Sequence, residues 1–175
     1  MSRQKQIILA ILVIVLAGAV FWGFRKPQIV DNSQNPDSQS VPAITANTFP
    51  PTDYATTTLK VGSQVITVAI ADNENKQEVG LGGLDSMPED SGMLFSFSNS
   101  DYRDFWMKDM KFQLDIIWLD ENAVITHISK NLSPDTYPKI FSSPKPSLYV
   151  LEVNAGFTDK YGIKIGDRVK FTGEF

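Results

Sequence analysis

The chain contains no cysteine. Disulfides, zinc–thiolate sites and thiol nucleophiles are therefore all excluded. Histidine occurs once, at His127, with no second His or Cys to share a metal ion. No metal site and no cofactor are expected from this set of donors. No Ser-His-Asp spacing, phosphate-cradling loop or metalloprotease motif is present. Gly80-Leu81-Gly82-Gly83 is rich in glycine but lacks the Lys and helix that follow in a phosphate loop, so it reads as a helix stop and turn. A basic surplus is lacking too. The formal net charge is -4 and the pI about 4.9. From Leu59 onward, 12 Lys+Arg stand against 17 Asp+Glu, a balance of -5. Nucleic acid is not an expected partner for such a field.

What the chain does have is a long apolar run. Ile7 to Phe24 is free of charge and proline. As a helix its eighteen residues would span roughly 27 Å, enough to cross the hydrocarbon core of a bilayer. Arg3 and Lys5 precede it, Arg25 and Lys26 follow, and Trp22 sits near the far boundary, where indole rings favour the interface. Residues 1–26 are expected to be a membrane anchor or uncleaved signal, with the C-terminal bulk extracytoplasmic. The rival reading is a cleaved signal peptide with Ala17-Gly18-Ala19 at the cut, but Val20, Phe21, Trp22 and Phe24 carry the apolar run past that point. Residues 27–58 hold five of the ten prolines among Ser, Thr, Asn and Gln. They read as an extended, disordered linker.

Residues 59–175 read as one β-rich domain. Gln64 to Ala71 alternates, with Ile66, Val68 and Ile70 on one face, after a Gly62-Ser63 turn. Asp72 to Val79 is helix-compatible, from a capping Asp or Asn to a stop at Gly80. Met93–Phe97, Phe105–Asp109, Leu114–Leu119, Val124–Lys130, Tyr149–Asn154 and Arg168–Phe171 read as strands, and Thr158–Tyr161 as a helical turn. The fold class expected is mainly β: a compact sandwich or partly closed barrel with one or two short helices.

Three charges interrupt apolar strands: Lys108, Asp115 and Glu152. Around Asp115 both alternating sets are mostly apolar, so neither face is an obvious solvent face. A charge there is costly unless paired. Lys108 is therefore expected to neutralise Asp115, Glu152 or both, either as a structural ion pair or as a polar site in an apolar pocket. Trp106 and Asp109, beside Lys108, and Tyr137, in the proline-rich stretch Asn131–Ser147, complete the candidate binding site. That stretch is expected either to present aromatics beside a pocket or to cover a sheet edge.

Taken in order, Gly80-Leu81, Gly92-Met93-Leu94-Phe95, Phe105-Trp106-Met107-Lys108-Asp109-Met110, Leu114-Asp115-Ile116 and Tyr149 to Gly156 with Gly166-Asp167 form a set of blocks. Over roughly Leu59 to Phe171 the chain resembles the bacterial and archaeal domain of unknown function 192 family. The resemblance implies a compact β domain, often behind an export signal or anchor, and no established reaction. Where that family usually carries a Met and, two residues later, an Arg, this chain has Gly82 and Leu84. The function expected is a ligand-binding or accessory module of the cell envelope, with a small molecule or glycan as ligand. Two alternatives stay open: a domain that grips a protein partner by its sheet edge or proline-rich loop, and an enzyme using Asp115 or Glu152 as acid or base.

Overall fold

The computed structural model describes residues 48–173. The apolar run Ile7–Phe24 and the linker up to residue 47 lie outside the described residues, so the expected anchor does too. Among the described residues no helix is long and apolar enough to cross a membrane.

The domain is mainly β, a curled half-barrel sheet with two short helices. Strands β1 (Thr56–Val61), β2 (Gln64–Ala71), β3 (Ser91–Asp101), β5 (Leu114–Leu119), β6 (Ile125–Leu132), β8 (Ser147–Asn154) and β9 (Lys170–Phe171) form a seven-stranded sheet. Its order is β6-β5-β8-β3-β2-β1-β9. A separate two-stranded ribbon pairs β4 (Asp104–Phe105) with β7 (Phe141–Ser142). Gly62, at φ 59°, makes the tight β1–β2 turn that the sequence predicts. β2 and β3 run parallel, so the chain must cross over between them, and helix α1 (Glu74–Val79) lies in that crossover. The Asn73 side chain accepts from the Lys76 N–H, and Gly80 at φ 53° ends the helix. Helix α2 (Phe157–Lys160) follows β8.

The sheet curls far enough for the segments just ahead of its two edge strands to touch. Val124, just ahead of β6, bridges Arg168, just ahead of β9. Bonds of 2.9 Å from Val169 N to Ala123 O and from Ile125 N to Asp167 O flank the bridge. The inner face of the curl is packed with Leu59, Val68, Leu94, Ile117, Leu151 and Val153. Leu94, Leu151 and Ile117 lie side by side on neighbouring strands. The outer face carries a second apolar layer, in which Met93, Phe95, Ile116 and Trp118 meet Leu81, Leu84, Met87 and Met107 from the covering loops. A sheet covered on both faces needs apolar residues on both alternations of its central strands. All six residues of Leu114–Leu119 are buried for that reason.

Two expectations need correction. Phe105–Asp109 is not a strand: pairing ends at Phe105, and the chain turns, with Asp109 at φ 57° and Met110 N bonded to Met107 O. Met107 is buried while Trp106 is exposed, which mimics strand alternation although the backbone is bent. The globular part also begins ahead of Leu59. β1 starts at Thr56, the Tyr54 hydroxyl donates to Lys76 O, and Phe49 and Tyr54 pack on the outer layer.

Candidate functional site

Strand register decides where the three interrupting charges go. In the β5–β8 pair Asp115 stands opposite Val153 and Ile116 opposite Glu152. Paired residues share a face and successive residues alternate. Asp115 therefore points into the half-barrel, and Glu152 points out through the other side of the sheet. No single lysine can neutralise both. Lys108 neutralises neither: it is exposed and, among the described residues, makes no ion pair with either carboxylate. The expected Lys108–Asp115–Glu152 cluster does not form.

Asp115 is held by neutral donors instead. Its Oδ1 accepts from the N–H groups of Asn131 (2.8 Å) and Gly156 (3.2 Å), and its Oδ2 from the N–H (3.0 Å) and hydroxyl (2.6 Å) of Thr158. Asn131 sits at φ 52° in a bulge of β6, where the β5–β6 register slips between Leu114 and Ile116. The N-cap of α2 is Gly156, which has no side chain to bond the first N–H groups. Asp115 supplies that cap from a neighbouring strand. These bonds join β5, β6 and α2.

Glu152 has no such partners. On the outer face it lies between Met93 and Ile116, is 5% exposed, and its side chain makes no hydrogen bond or ion pair among the described residues. Burial without compensation raises its carboxyl pKa to about 8. At neutral pH the group is mostly the uncharged acid, able to donate as well as accept.

Glu152 lines a pocket of about 250 Å³. One wall is the C-terminal end of α1 and the Gly80–Gly82 turn. A Cβ on Gly80 would stand 3.4 Å from the Phe95 ring, so the turn presses directly on the aromatic wall. The opposite wall comes from residues 102–110. Phe105 packs edge-on between Phe95 (4.8 Å between centroids) and Trp118 (5.9 Å). Trp118 Nε1 donates to Arg103 O at 2.9 Å, fixing the start of this wall to the sheet. The Arg103 guanidinium lies 3.9 Å over the Phe97 ring and donates to Asn99 O at 2.6 Å. Trp106, 47% exposed, and Lys108 stand at the pocket's edge. Gly83 N donates to Asp109 O at 2.9 Å, joining the two walls at the back.

Of the residues singled out from sequence, Trp106, Lys108 and Glu152 share this pocket. Asp109 serves the turn through its backbone and does not line it. Tyr137 is half exposed in the proline-rich stretch and does not line it either. That stretch contributes β7, which pairs with β4, and Ser142 bonds Asp104. It buttresses the pocket wall from behind. Arg103, Phe97, Tyr102 and the Gly80–Gly82 turn belong to the pocket and were not among the expected site residues. Nothing in the pattern around Arg103 marks it. Phe95 and Phe97 stand at strand spacing, for which core filling is the default reading. His127 packs its ring 5.3 Å from Trp118 on the sheet. Among the described residues no cluster of His, Cys, Asp and Glu is placed to hold a metal ion.

Fold and site together define a β half-barrel domain with a small, acid-floored pocket on the outer face of its sheet. The chain belongs to the DUF192 family, described as "Uncharacterized ACR", whose model matches residues 56–171. Two solved structures are similar. A Sinorhizobium meliloti 1021 protein, named a candidate transcription regulator, is 31% identical, with a TM-score of 0.66 over 69% of this chain and 96% of its own. A Novosphingobium aromaticivorans DSM 12444 protein of unknown function is 26% identical, with a TM-score of 0.67 over 71% of this chain and 91% of its own. No curated protein matches the chain. Leu84, one of the two departures from the usual family pattern, is buried in the outer apolar layer, while the other, Gly82, lines the pocket.

Proposed function

We propose that this chain is a ligand-binding module of the cell envelope, tethered by Ile7–Phe24 with its domain on the extracytoplasmic side, and that a small molecule sits over Glu152. The observation that carries the reading is Glu152 itself. A buried carboxyl with no protein partner among the described residues is destabilising, and it lines a concave space with aromatic residues in its walls, a setting that suits small molecules. The uncharged run at the N-terminus supports the tether. The enzyme reading finds an acid of suitable pKa in Glu152, with Glu78 and Asp104 lining the same pocket, but among the described residues no hydrogen bond couples Glu152 to either of them or to a nucleophile. The protein-partner reading has the exposed Tyr102 and Trp106 beside the pocket. The regulator name of one relative finds no support in the -5 balance of this domain.

Thermal shift of the full chain against a panel of envelope glycans and small metabolites tests the proposal, because a ligand of the native state must raise the midpoint. A compound that stabilises the parent and fails to stabilise Trp106→Ala and Glu152→Gln is the expected result. A panel without effect, or stabilisation that both variants retain in full, contradicts it.

A further inference from the structure

We infer that the pocket selects a small organic cation, a primary ammonium on a compact apolar body, whose charge is met by Glu152. The inference rests on the ligand-binding reading above and narrows it to a ligand class. Glu152 is 5% exposed and receives no donor from the protein among the described residues. Whatever satisfies its oxygens in the complex must arrive with the ligand, and once the group ionises it can only accept. A charged N–H is the strongest donor available to it.

The walls favour a cation independently. Phe95, Phe97, Phe105 and Trp106 all line the pocket, and an aromatic ring that turns its face to a ligand attracts positive charge. Phe97 already carries one cation, the Arg103 guanidinium at 3.9 Å. The other titratable groups around the pocket are Glu78 at the end of α1, Tyr102, Arg103 and Asp104 at β4, and Lys108 in the following turn. With Glu152 ionised, three acids face two bases, and the domain as a whole is acidic. An anion would meet an uncompensated carboxylate. A neutral alcohol would satisfy one hydrogen bond and gain nothing from charge. The volume of about 250 Å³ suits one ring-sized molecule rather than a polymer segment.

Binding of such a cation is coupled to a proton. Burial holds Glu152 in its acid form up to about pH 8. The ammonium binds the carboxylate, so one proton leaves Glu152 for the buffer as the complex forms. Below pH 8 the carboxylate fraction rises about tenfold per pH unit, and affinity rises with it. Above pH 8 affinity levels off, while an alkylammonium with a pKa of about 10 stays charged.

Isothermal titration calorimetry of the full chain in detergent tests the inference with three probes of one shape: phenethylammonium, 2-phenylethanol and phenylacetate. The expected result is binding of the ammonium at least ten times tighter than the alcohol or the anion at pH 7.5. Its affinity should fall severalfold or more from pH 7.5 to pH 6.5, with about one proton released per ligand in buffers of different ionisation enthalpy. Glu152→Gln should remove both the preference and the proton release. The pH series on the parent needs no variant and stands even if Glu152→Gln is poorly folded. Equal or tighter binding of the alcohol or the anion overturns the cation assignment and leaves the ligand-binding reading in place. Binding of none of the three at millimolar concentration overturns the cation assignment, and the wider metabolite panel then decides the ligand-binding reading separately.

Discussion

Asp115 and Glu152 occupy opposite faces of one sheet, because Asp115 is in register with Val153 and Glu152 with Ile116. Two buried carboxylates on adjacent strands thus have unrelated fates. Asp115 collects four neutral donors and ties β5, β6 and α2 together. Glu152 collects none among the described residues and faces a pocket. Burial alone does not decide whether a carboxyl is satisfied; the donors do.

Replacing Asp115 with Ala should leave the N–H groups of Asn131, Gly156 and Thr158 and the Thr158 hydroxyl without their acceptor. Only the two Thr158 donors are buried, and each costs about 1–3 kcal/mol when left unsatisfied, so a loss on the order of 2 kcal/mol or more is expected from urea unfolding at pH 7. The milder Thr158→Val should lose roughly 1–2 kcal/mol. A loss below about 1 kcal/mol for Asp115→Ala, the size of a typical surface effect, would show that the cap is not needed.

Lys108→Met should shift stability by no more than about 0.5 kcal/mol at any pH from 4.5 to 8, as expected of a surface residue. Lys111, exposed and paired with Asp85 at 2.7 Å, provides the comparison, since exposed pairs contribute little. A deficit for Lys108→Met that shrinks as pH falls would restore the buried ion pair that the structure does not show.

The strands with strict alternation or unbroken apolar runs were legible in the sequence. Leu114–Leu119 matches its expected limits, and the Asn73 cap and Gly80 stop frame α1 where the pattern put them. Local pattern could not reveal the parallel β2–β3 pairing or the faces of Asp115 and Glu152, because both depend on which strands become neighbours and in what register. The Phe105-Trp106-Met107 run misled for a related reason. One buried Met beside an exposed Trp satisfies a strand template and a turn equally. Arg103 was invisible because its place over Phe97 is a tertiary fact. Lys108 interrupts an apolar run as the two carboxylates do, but that run is a turn, which leaves it exposed.

The tether is open to a fractionation experiment. Full-length protein should sediment with membranes, and protease added from outside should release a core that retains Phe49, since Phe49 and Tyr54 pack on the domain. Full-length protein in the soluble fraction would contradict the anchor. A mature N-terminus at Val20 would establish a cleaved signal instead.

Glu152 should also govern stability between pH 5 and pH 8. Its folded pKa, about 8, lies above its ordinary value of 4.5, so the folded state binds more protons and unfolding becomes easier as pH rises through this window. At about 1.4 kcal/mol per unit, the parent should lose on the order of 3 kcal/mol from pH 5 to pH 8, and Glu152→Gln should lose much less. Asp72 and Glu89 do not interfere, because Lys76 and Lys160 hold their carboxyls below the ordinary range. Their contributions are complete above pH 5. A flat parent profile in urea unfolding would show that Glu152 is compensated.

The most direct measurement is a titration of the Glu152 side-chain carbonyl carbon by ¹³C NMR, assigned by its loss in Glu152→Gln. An uncompensated acid on the pocket floor predicts a midpoint near pH 8 in the unliganded protein. A midpoint near the ordinary glutamate value, about 4.3, would mean that the carboxyl is solvated or paired, and the account of the pocket would not stand.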